Sequence, residues 1–349
     1  MTEKLNVAII GFGTSARVFH LPFLLSSNKF DIKKVYERNS EEAKKYIKGV
    51  VVVHNLSEIL EDQSIDLVII TTPNTTHYDL AKKSILAHKH TIVEKPFTIN
   101  SSQGEELIKL AKEKNVLLSV FQNRRFDGDF LTVKKVVQSG YLGEIVEYEA
   151  HFDRFRNFIK GSNWKESPLE GSGILYDLGA HLIDQAIDLF GLPEKIFADI
   201  RIQRPNSLVH DYFEVNLYYK NLKATLKAGM LVREPLPHFI ISGTEGSFVK
   251  FGMDVQEGKL KAGLMPIDIE FGKEPIEQWG TLNTNIEGIH FQGKLETEIG
   301  NYQLYYEDIY SGIKENKPRI IKAEDSLEVI KIIELAYKSY GEGKVIKYN

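Results

Sequence analysis

Two segments far apart in the chain carry residue types suited to proton transfer. Glu94-Lys95-Pro96 follows an apolar run, and Asp177 and His181 stand four residues apart in a segment with helical periodicity. A lysine partly removed from water has a lowered pKa and can polarise a hydroxyl group. A carboxylate one helical turn from an imidazole fixes its tautomer and raises its basicity. We therefore predict that Lys95, Asp177 and His181 transfer a proton to or from a hydroxyl.

Simpler interpretations of both segments remain open. A lysine before a proline is often an exposed residue at a turn. Asp177, His181 and Asp184 have the spacing of one polar helix face, which needs no catalytic role. A metal site is a weaker hypothesis, because one histidine and two carboxylates on one helix form an incomplete ligand set.

A glycine-rich loop near the N-terminus supplies the strongest pattern. An apolar strand at residues 5–10 leads into Gly11-Phe12-Gly13-Thr14-Ser15-Ala16, and a helical pattern follows. Gly11 allows a tight turn, Gly13 lets the backbone approach a pyrophosphate, and the small Ala16 permits close packing of helix on strand. The helix N-terminus favours an anion. The loop therefore predicts dinucleotide binding, with an ordinary glycine-rich turn as the alternative.

The elements around these residues indicate two domains. Strand and helix patterns alternate up to residue 123, which predicts a doubly wound parallel sheet of the Rossmann type. After residue 124, longer strands and a helix over residues 175–190 indicate an α+β domain with a large, open, mainly antiparallel sheet. We therefore predict an α/β protein with domains at 1–123 and 124–349, and expect long loops over residues 252–301.

Composition limits the function classes. The 349 residues include no cysteine, which excludes disulfides and thiolate chemistry. A net charge of −4 argues against nucleic acid as a partner, and no apolar stretch approaches the length of a membrane span. We expect a cytoplasmic protein, because the N-terminus enters the first strand without room for a signal peptide.

Four motifs in order resemble the glucose-fructose oxidoreductase, inositol dehydrogenase and rhizopine catabolism (Gfo/Idh/MocA) family. They are the glycine loop, Thr72-Pro73-Asn74-Thr75-Thr76-His77, Glu94-Lys95-Pro96 and Asp177-Leu178-Gly179-Ala180-His181. Phe121-Gln122-Asn123-Arg124-Arg125-Phe126-Asp127 and residues 148–156 resemble the branch that contains NADP-dependent scyllo-inositol dehydrogenases. The resemblance covers essentially the whole chain.

The resemblance implies a role for each matched residue. Lys95 is expected to contact both the substrate hydroxyl and the nicotinamide ribose, His181 to act as acid and base, and Asp177 to pair with it. The expected cofactor contacts are Gly11, Phe12, Gly13, Thr14, Ser15, Ala16, Glu37, Arg38, Thr72, Pro73, Asn74, His77, Glu94, Lys95 and Asn123. The expected substrate contacts are Lys95, Arg124, Arg154, Trp164, Asp177 and His181, with Phe152 as a second candidate for an aromatic wall. No metal site is predicted.

Some of these residues have a structural alternative. Asn123 and Arg124 lie at the predicted domain junction, where they could instead pack a hinge. Phe152 and Trp164 could belong to the core.

The cofactor preference depends on the end of the second strand. An acidic residue there bonds the ribose 2′-hydroxyl of NAD, whereas an arginine accommodates the 2′-phosphate of NADP. The chain has both, as Glu37 and Arg38. Because a carboxylate repels a phosphate, we predict NAD or NADP with a slight preference for NAD.

The sequence thus predicts a dehydrogenase that transfers a hydride between the CH–OH group of a sugar, inositol or related polyol and NAD(P). Two alternatives are an NAD-dependent glycosidase of the same family and a non-enzymatic dinucleotide-binding regulator. Alternating aromatics such as Tyr212, Phe213, Tyr218 and Tyr219 suggest that both faces of the second sheet are apolar. Since a helix can cover only one face, we expect a homodimer or homotetramer.

Overall fold

The computed structural model describes residues 3–159, 166–268 and 270–348. They form two compact units, each discontinuous in sequence. The first comprises Met1–Asn123, Gln256–Phe271 and Asn301–Leu327, and the second Arg124–Val255, Gly272–Gly300 and Glu328–Asn349. One boundary falls where the sequence suggested a domain junction, but two later segments return to the first unit.

The secondary structure contains helices and strands along most of the chain. The α-helices are α1 Leu21–Ser26, α2 Ser57–Leu60, α3 His77–Leu86, α4 Ser101–Lys114, α5 Gly128–Gln138, α6 Ala180–Phe190, α7 Gln256–Lys261, α8 Gln303–Lys314 and α9 Ala323–Glu342. The strands are β1 Leu5–Ile10, β2 Phe30–Tyr36, β3 Val51–Val53, β4 Leu67–Ile70, β5 His90–Val93, β6 Leu118–Val120, β7 Ile145–His151, β8 Lys195–Arg201, β9 Tyr212–Tyr218, β10 Lys223–Gly229, β11 Phe239–Gly243, β12 Gly246–Lys250, β13 Gly280–Ile286, β14 Ile289–Leu295 and β15 Ile346–Lys347. Single π-helical turns at Ala16–His20 and Leu175–Gly179 precede α1 and α6.

The first unit contains a six-stranded parallel sheet. Its strand order is β3-β2-β1-β4-β5-β6, which confirms the predicted doubly wound arrangement. Every residue of β4 is buried, as expected for a parallel strand covered on both faces. The order reverses between β1 and β4, so their carboxyl ends flank the crevice in which such sheets bind ligands.

A tyrosine cluster from α8 completes the core of the first unit. Tyr305 and Tyr306 are fully buried, and the Tyr305 hydroxyl donates to Ser119 Oγ at 3.0 Å. Phe121 packs edge-on against Tyr305 with ring centroids 4.8 Å apart. Residues far along the chain therefore complete the core of the N-terminal sheet.

The second unit contains a nine-stranded sheet in the order β14-β13-β12-β11-β7-β10-β9-β8-β15. Its pairings are antiparallel except that β10 runs parallel to β7, so the predicted mainly antiparallel sheet is confirmed. Ala198 N on β8 donates to Ser339 Oγ of α9 at 3.1 Å, and Gly179 of the π-turn lies against Phe213 of β9. Helical segments thus cover one face of the sheet.

The opposite face of this sheet is polar, so the expectation of two apolar faces is wrong. Phe213 is fully buried on the covered face, whereas Tyr212 and Tyr218 are half-buried on the other. Their neighbours there include the ion pairs Lys223–Glu147, at 2.9 Å, and Lys227–Glu214, at 3.8 Å. Lys227 Nζ lies 5.8 Å from the centroid of the Tyr212 ring, so a tyrosine is compatible with this charged face.

Residues 252–301 are more ordered than the sequence indicated. They contain α7 and the hairpin of β13 and β14, whose turn residues Glu287 and Gly288 both have positive φ. Such a turn suits a two-residue hairpin. The hairpin escaped prediction because β14 is mostly exposed, which removes the alternation of apolar and polar residues that marks a half-buried strand.

The length and hydropathy of a helix decide whether it can span a bilayer. Within the described ranges, none is both long and apolar enough to cross a bilayer.

Candidate active site

The glycine loop of the first unit has the geometry expected for approach of a phosphate. Gly11 has φ +89°, and a Cβ on it would lie 2.9 Å from Thr72 Cγ2. A Cβ on Gly13 would meet no heavy atom of the described residues within 4 Å. Gly11 is therefore required by the turn itself, whereas Gly13 leaves the backbone open on its outer side.

The helix after the loop begins with a π-turn. Leu21 N donates to Ala16 O, five residues back, before regular α-helix starts at Leu21. Pro22 follows at once and has no N–H, so the helix lacks a backbone hydrogen bond at this position. Insertions of this kind are frequent at functional sites.

Glu94 links the end of β5 to the glycine loop. One carboxylate oxygen accepts hydrogen bonds from Ser15 Oγ and from His20 Nε2, the latter at 3.1 Å, and the other accepts from Lys95 N at 3.0 Å. Burial alone would raise the pKa of Glu94, but the hydrogen bonds from His20 and Ser15 and the Lys95 charge outweigh it and lower the pKa to about 2. The carboxylate is therefore ionised at neutral pH and holds Lys95 beside the loop.

His77 ties the loop after β4 to the loop after β5. Its ring is buried, with Nδ1 2.9 Å from Pro96 O and Nε2 3.0 Å from Thr72 O. Burial lowers the pKa of His77, although the two carbonyl groups oppose this in part. The neutral ring donates to one carbonyl at a time. It thereby positions the loops that carry half-buried Lys95, exposed Pro73 and buried Asn74.

The carboxylate of Glu37 faces the protein. Glu37 is only 5% exposed, and its oxygens accept from Ser40 Oγ, from Glu42 N at 3.0 Å and from Ala43 N at 2.7 Å. These bonds cap the 3₁₀ turn Glu42–Lys45. The next residue, Arg38, is exposed. The argument for an NAD preference needs this carboxylate to reach the ribose as well, so the preference stays a prediction.

In the second unit, the segment that carries Asp177 and His181 is a π-turn followed by α6. Asp177 is half-buried in the turn, whereas His181 is only 5% exposed in the first turn of α6. A Cβ on Gly179 would lie 2.5 Å from Leu175 Cδ1 and 3.2 Å from Phe213 Cζ. The glycine between the two candidate residues therefore lets this turn pack against β9.

Several predicted substrate residues of the second unit lie around the ring of Phe152. His181 stacks on its ring, with centroids 6.5 Å apart at 28°. The guanidinium groups of Arg124 and Arg154 lie 4.9 and 5.1 Å from the Phe152 centroid. We call Arg124, Phe152, Arg154 and His181 the Phe152 cluster. Trp164, also predicted, lies outside the described residues.

Asp184, the third residue of the predicted polar helix face, pairs with Arg125. Arg125 Nε and Nη2 donate to its two oxygens, each at 2.8 Å, and both side chains are almost fully buried. The bidentate pair fixes the turn Asn123–Phe126 to α6, assisted by the bond from Gln185 Nε2 to Arg124 O at 3.2 Å. The spacing alone could not show this, because the partner is remote in sequence.

These features define a protein of the dinucleotide-binding Rossmann class with a second α+β unit. The cofactor fits the first unit, since the space beyond Gly13 would be filled by any side chain there and the Gly11 turn admits only glycine without strain. The glycine loop, Thr72 and Glu94 adjoin the same reversal of strand order.

The chain belongs to the Gfo/Idh/MocA oxidoreductase family. The family description "Oxidoreductase family, NAD-binding Rossmann fold" matches residues 5–122, and "Oxidoreductase family, C-terminal alpha/beta domain" matches residues 134–348. The protein is therefore an oxidoreductase with an NAD(P)-binding domain, as the motifs predicted.

Named relatives resemble the chain over nearly its full length. The scyllo-inositol 2-dehydrogenase (NADP(+)) IolW of Bacillus subtilis is 39% identical and matches 99% of this chain and 96% of its own. The structure of yvaA from Bacillus subtilis has a TM-score of 0.96 at 38% identity and covers 100% of this chain and 99% of its own. An oxidoreductase structure from Bacillus cereus has a TM-score of 0.91 at 40% identity, with 99% of each chain covered.

Two residues near the predicted site carried no sequence signal. Asp129 and His238 form a buried pair 2.9 Å apart, and His238 packs edge-on against Phe152 with centroids 6.1 Å apart. They are 109 positions apart in the chain, so no local pattern connects them.

Proposed function

We propose that the protein oxidises a CH–OH group of a cyclitol, sugar or related polyol, or reduces the corresponding carbonyl, with NAD(P). The observation that carries this proposal is the Phe152 cluster. An imidazole and two guanidinium groups around one aromatic ring suit a ligand that has both hydroxyl groups and C–H faces. The name of the Bacillus subtilis relative supports a cyclitol among these substrates.

The proposed roles follow from where each group is held. A ring nitrogen of His181 takes the hydroxyl proton. Asp177 orients that imidazole or stabilises its protonated form. Lys95, held by its backbone bond to Glu94, stabilises negative charge on the substrate oxygen. A bound nicotinamide would supply the acceptor for the hydride of the substrate carbon. Glu94 and His77 are positioning residues for Lys95.

The glycine loop and its neighbours are proposed to hold the cofactor. Residues Gly11 to Ala16 take the pyrophosphate, and Arg38 takes the adenosine ribose or its 2′-phosphate. Thr72, Pro73, Asn74 and Asn123 border the nicotinamide half. Ser15 and Glu94 are already bonded to each other, which supports a shared role in shaping this surface.

The decisive experiment is a panel of inositols and aldoses with NAD and NADP, followed by absorbance of the reduced nicotinamide. Turnover of at least one cyclitol or aldose is expected. In that assay His181→Ala and Lys95→Ala should each lower kcat by ~10²–10⁴-fold, the usual contribution of general acid–base groups. The double variant should be only slightly worse than the worse single variant, because groups that act together are not additive.

Two results would contradict this assignment. Wild-type protein that cleaves a glycoside without net formation of reduced nicotinamide would identify a glycosidase. Near-normal turnover in His181→Ala, with the basic limb of the pH profile intact, would transfer proton exchange to another group. Thermal melts of each variant are the control for folding.

A further inference from the structure

The buried pair of Asp129 and His238 lies next to the Phe152 cluster. Asp129 is fully buried on α5, and His238, just before β11, is 4% exposed. His238 Nδ1 lies 2.9 Å from Asp129 Oδ2, and the His238 ring contacts Phe152 edge-on. Two imidazoles, those of His181 and His238, therefore contact the same phenyl ring.

The surroundings of Asp129 keep its carboxylate charged. Phe130 N donates to Oδ1 at 2.7 Å and Asp254 N to Oδ2 at 3.2 Å. Burial by itself would raise the pKa of Asp129, but His238, the nearby Lys250 and the Phe130 amide outweigh burial and lower it. Lys250 is itself fully buried and paired with Glu274 at 2.9 Å.

An ionised carboxylate can only accept hydrogen bonds, so Nδ1 of His238 must carry the proton in this pair. Nε2, on the far side of the ring from Nδ1, is then available to a second partner. That atom is buried and has no hydrogen-bond partner among the residues described. Leaving a buried polar atom without a hydrogen bond is unfavourable, so a native site that keeps one needs an explanation.

We propose that Nε2 of His238, oriented by Asp129, forms a hydrogen bond with a substrate hydroxyl other than the one that is oxidised. This inference rests on the proposed function, and it makes His238 a specificity-determining residue. A substrate with hydroxyls distributed around a ring can place one at His181 and another at His238, with a C–H face on Phe152. A substrate that lacks the second hydroxyl leaves Nε2 unsatisfied and binds more weakly.

Two amide substitutions test the contributions of the two ring nitrogens of His238 separately. The His238→Asn side chain places its amide near Nδ1 and keeps the bond to Asp129, but has nothing at Nε2. The His238→Gln side chain reaches the Nε2 position but loses the bond to Asp129. The test measures kcat and KM with the best cyclitol of the panel and its monodeoxy analogues, together with the Tm of each variant. His210→Asn is the matched control, because His210 contacts Tyr337 and Tyr340 rather than the cluster.

The two His238 variants should rank in opposite orders for kcat/KM and for Tm. His238→Asn should lower kcat/KM by ~10–100-fold, mainly through KM, because the variant loses one hydrogen bond to the substrate. Its Tm should stay close to wild type. His238→Gln should retain more activity but melt lower. For one monodeoxy analogue, wild type and His238→Asn should have equal kcat/KM, and His210→Asn should match wild type throughout.

Three outcomes would overturn the proposal. The first is an unchanged KM in His238→Asn. The second is a loss of activity in both variants that parallels their loss of Tm. The third is that every deoxy analogue lowers kcat/KM by the same factor in wild type and in His238→Asn. If wild type turns over nothing, the proposed function fails. The role of His238 is then tested by NMR without turnover. It is wrong if the ¹⁵N signal of His238 Nε2 does not shift when scyllo-inositol is added with NADPH.

Discussion

At the scale of single residues, the direction of a side chain decides its role. Glu37 and Arg38 adjoin each other at the end of β2, and the sequence allowed either to face the ribose. The hydrogen bonds of Glu37 to Glu42 N and Ala43 N direct its carboxylate into the following turn. Arg38 is the exposed member of the pair, so it is the residue expected to discriminate the two cofactors.

Arg38→Ala should lower the ratio of kcat/KM for NADP to that for NAD by ~10–100-fold. The reason is the loss of a charge-assisted bond to the 2′-phosphate, which is worth about 1.5–3 kcal/mol. Glu37→Gln should change this ratio by less than about 3-fold. It should instead lower the unfolding free energy by roughly 1–3 kcal/mol, because an amide NH₂ would face buried N–H donors.

Initial rates with both cofactors and urea unfolding of both variants check this pair of expectations. A rise of tenfold or more in the NADP/NAD ratio of Glu37→Gln would show that the carboxylate does oppose the 2′-phosphate. The original interpretation of the strand end would then hold.

At the scale of elements, the two glycines of the loop have different tasks. Gly11 has a positive φ and a close neighbour in Thr72, whereas Gly13 has open space. Gly11→Ala should therefore destabilise the first unit by about 1–3 kcal/mol through backbone strain. Gly13→Val should keep the fold but weaken NADP binding by at least about 100-fold, because its side chain fills the space for the pyrophosphate.

Calorimetric titration with NADP and thermal melts of the two variants distinguish these tasks. A folded Gly13→Val protein that binds NADP with wild-type affinity would show that the pyrophosphate lies elsewhere.

Elements with a strong local pattern could be predicted, and those defined by remote partners could not. Apolar runs predict the parallel strands, and the spacing of the glycines predicts the loop. The helix Ser101–Lys114 has an Asn100 cap at its start and a left-handed Asn115 at its end. The β13–β14 hairpin lacks a buried face. The partners of Glu37 and Asp184 are set by folding, so sequence spacing gave the candidate residues but not their orientation.

At the scale of the whole molecule, the homo-oligomer stays a prediction, but the contact is now expected on a polar sheet face instead of an apolar one. The uncovered sheet face is lined by charged and polar groups, including the Glu147–Lys223 pair, while Ile289 on edge strand β14 is 73% exposed. Sedimentation at micromolar concentration should give a multiple of the 39.8 kDa chain mass. If the polar face forms the contact, about 1 M salt should shift the equilibrium towards monomer, because it screens surface charges beyond ~3 Å. A 39.8 kDa species alone at low salt would contradict the prediction.

The order in which the chain leaves the ribosome bears on the tyrosine cluster of α8. The last strand of the first unit ends at Val120, but the unit is completed only by Asn301–Leu327, and Tyr305 and Tyr306 fill its core beneath Phe121. At ~5–20 residues per second, synthesis of the intervening stretch takes roughly 10–40 s. During that interval the nascent N-terminal sheet exposes the apolar surface that α8 later covers. A chaperone that binds nascent apolar segments therefore has a defined window in which to act on this protein, and it closes when α8 emerges from the exit tunnel.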